Sequence, residues 1–323
     1  MQVVSCTRFG PVSDLVVEER TAPPCGPRDV RIEVAAAGVN FVDALFVEGR
    51  YQIKPPLPFV PGSEIAGRVR EIGAGVTTVG VGERVFASVG LGGFASEVVV
   101  DERRVTPAPA SMSDGQAATF MQSYGTAWFA LHERARASAG QWLLVLGAGG
   151  GVGLAAVDVG RDMGLHVIAA ASSDEKRQAA AERGAEAVID SATEDVKARA
   201  RELSGGGVDL VYDPIGGQVG EQSLRALRED GQFLVIGFAS GTIPMLPANQ
   251  VLLRNRRVTG VEWGGWVATH PAENQAMIER VVGAIGEGRL SPVEPATYPL
   301  TDAARALQDQ LDRRVTGKVV LIP

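Results

Sequence analysis

Apolar and polar positions follow two different rhythms along the chain. Between residues 142 and 263, apolar runs of strand length, WLLVL (142–146), LHVIAA (165–170), AVID (187–190), VDLVY (208–212), FLVIG (233–237) and VTGVEW (258–263), alternate with stretches of helical spacing. Helices are predicted from Leu154 to a cap at Gly164, from Ser173 to Arg183 closed by Gly184, and over about Glu194–Leu203 and Val219–Leu227. Strands alternating with helices of this length form a parallel sheet covered on both faces, the doubly wound dinucleotide fold.

The first 115 residues have another texture: short β-rich runs such as DVRIEVAAAGVN, EIAGRVREIG and GERVFASVG, punctuated by Gly and Pro, with one helical stretch near Val42–Val47. The tail returns to that style, with ATYPL as a strand, Thr301 capping a helix that carries Ala303, Leu307 and Leu311 on one face, and GKVVLIP as the last strand. The expected fold class is α/β. A doubly wound Rossmann domain, residues 118–262, is inserted into a β domain formed by residues 1–117 and 263–323.

Composition agrees with a large core. Of the 323 residues, 45% are hydrophobic and 21% charged, which suits two globular domains and excludes disorder. Lys+Arg 31 against Asp+Glu 38 gives a net charge of -7, a field that repels polyanions, so nucleic acid is not an expected partner. Two cysteines, Cys6 and Cys25, and no charged-then-apolar leader make a cytoplasmic, reduced protein the expectation.

The uncharged, apolar stretch Trp142–Val157 contains LGAGGGVGL. It is shorter than the roughly 20 residues of a bilayer span and rich in helix-weakening glycine, so no membrane segment is expected. Lying between a strand and a helix in a series of such units, it reads as a phosphate cradle, the alternative being a plain βα turn. The frame G-x-G-x-x-G fits from Ala148, giving Ala148, Gly150 and Gly153, with the first glycine replaced. Gly147, Gly149 and Gly151 carry no requirement visible in that frame. Amides of about Gly151 and Val152 are offered to a phosphate.

An acid about 20 residues on would bind a ribose 2'-hydroxyl; here the count reaches Ser172 and Ser173 in HVIAAASSDEKRQ. Serine hydroxyls with Lys176 or Arg177 suit a 2'-phosphate, so NADPH is expected over NADH, the alternative for both cations being a solvated helix face. The run RNRR, Arg254–Arg257, reads as a solvated helix terminus.

The whole chain resembles the medium-chain dehydrogenase/reductase superfamily and, within it, the zinc-independent, zeta-crystallin-like quinone oxidoreductases. The resemblance rests on AGVNFVDALFVEGRYQIKPPLPFVPGSEIAG, SYGTAWFALHERA, GAGGGVGLAAVDV, VIAAASSDEKRQAAAERGA, VYDPIGG, GFASGTIPMLPAN and TGKVVLIP. It implies a GroES-like β domain, a Rossmann domain, an active site in the cleft between them, and usually a homodimer paired through Rossmann-domain edges. It also implies that zinc ligands are missing. Asn40 in GVN and Ser63 in GSE stand where zinc alcohol dehydrogenases carry a cysteine and a histidine, and no cysteine follows Cys25.

Without a Lewis acid, the favoured substrate absorbs hydride by its own conjugation: a quinone, or, as the alternative, an enone, enal or enoyl thioester. A reading of another class is an NADPH-holding sensor or structural protein with little turnover. By the resemblance, Asn40 donates to the acceptor oxygen or to the nicotinamide ribose, or else caps a turn. Tyr51 holds or protonates substrate, or packs. A second family tyrosine is Leu45 here, which makes the pocket more apolar. Thr126 matches a nicotinamide-ribose contact, and Gly237 and Phe238 match the strand end beside the nicotinamide. Arg313 reaches the 2'-phosphate or ends a solvated helix, and Trp263 stacks on a flat substrate or packs in the core or at a dimer interface. Ser191 replaces a family tyrosine that follows VIN.

Overall fold

The structure, a computed structural model, describes residues 1–323. The chain separates into two compact units, Met1–Gln122 with Pro292–Pro323, and Ser123–Ser291. In chain order the first unit opens with β1 (Gln2–Ser5), β2 (Val16–Glu19), β3 (Asp29–Val39), α1 (Phe41–Val47), β4 (Glu64–Ile72), β5 (Arg84–Ser88), β6 (Glu97–Asp101), β7 (Val105–Pro107) and α2 (Asp114–Ala117). There follow α3 (Phe120–Trp128), β8 (Trp142–Leu146), α4 (Gly151–Asp162), β9 (His166–Ala171), α5 (Asp174–Glu182), β10 (Ala187–Asp190), α6 (Val196–Leu203), β11 (Val208–Asp213), α7 (Gly217–Ser223), β12 (Leu227–Val235), α8 (Ala248–Leu252), β13 (Arg257–Gly260), α9 (Trp263–Thr269) and α10 (Pro271–Gly286). The chain ends with β14 (Ala296–Pro299), α11 (Ala303–Leu311) and β15 (Val319–Ile322).

The first unit is built on β3. Along it Val30, Ile32 and Val34 are buried while Arg31 and Glu33 face outward, the period-2 pattern of a strand with one covered face. It pairs antiparallel with β4, β6 and β15 in a sheet of order β14-β15-β3-β4-β5-β7, with β6 against β3. Val319 and Leu321 of β15 join Ile32, Ile65 and Phe94 in one core.

The second unit holds a six-stranded, all-parallel sheet of order β10-β9-β8-β11-β12-β13. Leu143, Leu144, Val145 and Leu146 are all at most 1% exposed, as expected for a strand covered on both faces. The strand order reverses between β8 and β11. At such a switch point the loops leaving the carboxyl ends of the strands diverge and leave a crevice.

Three sequence expectations change. VTGVEW does not form one strand: β13 ends at Gly260, and the Glu262 carboxylate accepts from the Gly265 amide at 2.8 and 2.9 Å, starting α9 at Trp263. The expected boundary at 262/263 lies instead at 291/292, and that at 117/118 lies at 122/123. The cause of the larger shift is α10, a 16-residue helix that the strand pattern hides. It opens with Pro271 at its first position and buries Met277, Ile278, Val281, Ala284 and Ile285 on one face. No helix is long and apolar enough to cross a membrane.

Candidate functional site

In the second unit, three loops leave the carboxyl ends of β8, β11 and β12. The first is the glycine loop. Gly147 has φ +60°, and a Cβ there would lie 2.5 Å from Ile215 Cδ1. A Cβ on Gly153 would lie 2.3 Å from the Gly147 carbonyl, and one on Gly149 would lie 2.3 Å from Lys176 Cβ. Gly147, Gly149 and Gly153 are therefore the glycines that the protein's own packing requires. This corrects the frame that began at Ala148: the tight turn is made by Gly147, while a Cβ on Gly150 would meet nothing nearer than 3.6 Å. The space at Gly150 is left on the side of the helix start, where it caps α4 without a side chain. Gly151 and Val152 open α4, so their amides have no acceptor within the helix.

The lysine and arginine of DEKR separate at this point. Lys176, half-buried on α5, lays its aliphatic stem across Gly149, which brings its side chain to the glycine loop. Arg177 is committed elsewhere: it donates to the Asp190 carboxylate at 2.9 Å and the Ala171 carbonyl at 3.3 Å, and it pairs with Asp174. Ser172 is exposed just beyond β9, and Ser173 caps α5 by accepting from the Lys176 amide. Ser191 follows β10 and donates its amide to the Ala171 carbonyl at 3.1 Å.

The loops after β11 and β12 are laced together through Asp213, a residue the sequence reading did not single out. Its buried carboxylate accepts from the amides of Ile215 at 2.9 Å and Gly216 at 2.8 Å, and its carbonyl accepts from Ile236 and Gly237 at 3.0 and 3.2 Å. Burial pushes the Asp213 carboxyl above its ordinary range, against the pull of those two amides. Gly237 is thereby fixed at the end of β12, and Phe238 lies against Gly216. The signal was present as an acid at a strand end followed by Gly-Gly in YDPIGG.

Thr126 is half-buried on α3 beside Gly125, and the Trp263 ring packs on Gly125 so closely that a Cβ would lie 2.5 Å from it. Trp263 Nε1 donates to Asn274 at 3.1 Å. The structure thus brings Trp263 to the helix of Thr126. In RNRR, Arg256 is not solvated: it is 8% exposed and donates to the carbonyls of Leu227 and Arg228.

The first unit carries a cluster around Asn40. Asn40 caps α1 at the end of β3, and its amide donates to the Asp43 carboxylate at 2.8 Å. Its Nδ2 donates to Glu64 Oε1 at 2.9 Å and has a longer contact of 3.4 Å with Ser63 Oγ. Lys318 Nζ donates to Asn40 Oδ1 and, at 3.2 Å, to Glu64 Oε1; Glu64 Oε2 accepts from the Gln122 amide at 2.9 Å. Asn40, Glu64 and Lys318 are buried, and Asp43 completely so. Burial, with the neighbouring Glu64 charge, raises the Asp43 carboxyl to about 7. Glu64 and Lys318 are further residues that sequence reasoning missed; the signal was a lone charge at the mouth of an apolar strand, in SEIAG and TGKVV.

Tyr51 follows α1, its amide donating to the Leu45 carbonyl at 3.2 Å and its ring packed on Phe46 at 4.7 Å. Arg313 is exposed beyond α11, in left-handed backbone at φ +58°.

The donor set around Asn40 does not fit zinc. A carboxamide and a hydroxyl stand at the two positions, the carboxamide oxygen already accepts from an ammonium, and no group of three or more His, Cys, Asp or Glu side chains is placed to hold a metal ion.

Two family profiles match, one described as the alcohol dehydrogenase GroES-like domain over residues 26–110, the other as zinc-binding dehydrogenase over residues 151–282. The chain is 38% identical over 309 residues to quinone oxidoreductase-like protein 2 of Bos taurus, covering 95% of this chain and 88% of that protein. Among solved structures, Escherichia coli quinone oxidoreductase complexed with NADPH is similar at TM-score 0.90 and 28% identity over 100% of both chains. The CurK enoyl reductase is similar at TM-score 0.89 and 26% identity, over 99% of this chain and 98% of the other. Two matched profiles, a parallel sheet with a reversal beside a glycine cradle, and full-length likeness to quinone oxidoreductases place the chain in the medium-chain dehydrogenase/reductase superfamily, in its quinone oxidoreductase family.

Proposed function

We propose that the protein is an NADPH-dependent reductase that passes hydride to a quinone without zinc. The observation that supports the reading is the Lys176 stem lying over Gly149, which brings that lysine's side chain to the glycine loop, next to a strand end that offers Ser172 in place of an acid. Bound NADPH supplies the hydride. The amides of Gly151 and Val152 and the positive end of α4 hold the pyrophosphate, and Lys176 with Ser172 takes the 2'-phosphate. Gly237 and Phe238, fixed through Asp213, together with Thr126, hold the nicotinamide end.

Asn40 donates Nδ2–H to the acceptor's carbonyl oxygen as charge develops there, and Tyr51 holds the substrate. Hydride gives the hydroquinone anion, which takes its proton from solvent, and the reduction makes the ring aromatic.

A second reading, reduction of a conjugated carbon-carbon double bond, draws support from the likeness to the CurK enoyl reductase and from Leu45. NADPH consumption separates them: turnover with 1,4-benzoquinone or 9,10-phenanthrenequinone but not with enones or crotonyl thioesters is expected. Turnover with enones alone transfers the assignment to the second reading, and tight NADPH binding without turnover on any acceptor assigns a sensor or structural role.

We also propose a homodimer through β13. This edge strand pairs only with β12, and Ile243, Met245, Leu252 and Leu253 nearby in sequence are 67–78% exposed. Light scattering should give twice the 33.8 kDa chain mass, and Leu252→Glu with Leu253→Glu should give the monomer.

A further inference from the structure

The Asn40 carboxamide is held at both ends by buried ions. Its oxygen accepts from Lys318 Nζ, and one hydrogen of its nitrogen goes to Glu64 Oε1 at 2.9 Å, while Lys318 and Glu64 contact each other at 3.2 Å. Lys318 is 4% exposed and Glu64 3%. An ammonium only donates and a carboxylate only accepts, so a flipped carboxamide would set donor against donor and acceptor against acceptor. Only one orientation survives. It leaves one Nδ2 hydrogen whose contact is the long one, 3.4 Å to Ser63 Oγ. An ammonium on the oxygen also draws charge from the amide nitrogen, which makes that remaining N–H a stronger donor, and burial enlarges the effect.

We propose that Lys318 and Glu64 are positioning residues that lock the Asn40 carboxamide and strengthen its remaining N–H for the acceptor's carbonyl oxygen. The ion pair thereby supplies, through Asn40, part of the electrostatic help that a metal gives elsewhere in the superfamily. The proposal rests on the reading of Asn40 as the donor given above.

A double-mutant cycle tests it. Lys318→Met should lower kcat for the quinone roughly tenfold with the NADPH Kd unchanged, and Asn40→Ala about 100-fold. In the Asn40→Ala background, Lys318→Met should change kcat by less than about twofold, because its target is gone. Lys318→Arg, which keeps the charge, should recover part of the loss. An equal loss in both backgrounds, or wild-type kcat in folded Lys318→Met, overturns the proposal.

Should Lys318→Met fail to fold, NMR of the Asn40 side-chain amide in the unaltered protein decides. Slow solvent exchange of the Nδ2 proton that faces Glu64 supports the lock; exchange of both Nδ2 protons as fast as in a solvated asparagine removes it. If Asn40→Ala keeps full activity, the donor reading fails while the amide signals still decide whether Lys318 and Glu64 hold the carboxamide.

Discussion

In the second unit the glycine loop is made of backbone, and its side chains are conspicuous by being missing: Gly147, Gly149 and Gly153 each leave no room for a Cβ. In the first unit the Asn40 cluster is made of side chains, two carboxylates, an ammonium and a carboxamide buried together. The cradle concentrates partial charges that need no desolvation of an ion, because amide dipoles carry them. The cluster carries full charges that persist in the interior only while each has its partner. One region is therefore broken by adding atoms and the other by removing or adding a proton or a charge.

The largest effect should come from filling the cradle. At Gly153 a Cβ meets the Gly147 carbonyl, which is backbone and cannot swing aside. Gly153→Val should abolish NADPH binding in a fluorescence titration and lower Tm by several degrees, as overpacking of about 1–3 kcal/mol does. Gly150→Ala, with open space around it, should leave Tm unchanged. Equal destabilisation by both would remove the distinction between the two glycines.

Next in size is the proton on Asp43. Its folded-state pKa of about 7 lies above the ordinary 3.8, so between those values the folded protein keeps a proton that the unfolded chain releases. Stability therefore falls as pH rises from about 4 to about 7 and then levels, by on the order of 4 kcal/mol in all. The charges facing Asp43 are Glu64, which opposes its ionisation, and Lys318, which favours it. Asp43→Asn keeps an acceptor for the Asn40 amide and removes the titration. In urea unfolding from pH 5 to 8 the unaltered protein should lose about 3 kcal/mol more than the variant, the part of the titration that lies in this range. Parallel curves would place the Asp43 pKa near its ordinary value.

How much of this was legible follows the same division. Periodicity located five of the six parallel strands because fully covered strands leave uninterrupted apolar runs such as Leu143–Leu146. It overran the sixth, since Gly264, Gly265 and the Glu262 cap turn the chain into a helix without breaking the apolar look of VEW. The glycine loop was recognisable as a cradle, but which glycines are obligatory depends on what packs over them, Ile215 and the Lys176 stem, and neither is near in sequence. The Asn40 cluster was visible only as one asparagine. Asp43 lies three residues on, but Glu64 and Lys318 come from the first residue of β4 and the residue before β15, 24 and 278 positions away, and no local pattern joins them to Asn40.

A smaller effect tests the cation at the cradle. Lys176→Met keeps the aliphatic stem over Gly149 and removes the charge. NADPH should weaken about 10- to 100-fold, the range for a hydrogen bond to a charged group, and NADH by less than about twofold. Equal losses for both cofactors would assign Lys176 to the pyrophosphate rather than the 2'-phosphate.

The smallest effect belongs to Ser172, and it is informative because two substitutions pull apart. Ser172 is exposed beyond β9 at the position where an acid would select a ribose 2'-hydroxyl. Ser172→Ala removes one neutral hydrogen bond to the 2'-phosphate, about 0.5–1.5 kcal/mol, so the NADPH Kd should rise about 2- to 10-fold with NADH unchanged. Ser172→Asp adds repulsion of the 2'-phosphate and an acceptor for the 2'-hydroxyl, so NADPH should weaken further while NADH tightens. Fluorescence titration of both cofactors against both variants gives four constants. If aspartate fails to tighten NADH while alanine still weakens NADPH, Ser172 touches the phosphate but lies beyond reach of the ribose hydroxyl. If neither variant changes the ratio of the two cofactors, discrimination lies with Lys176 and the charge around it.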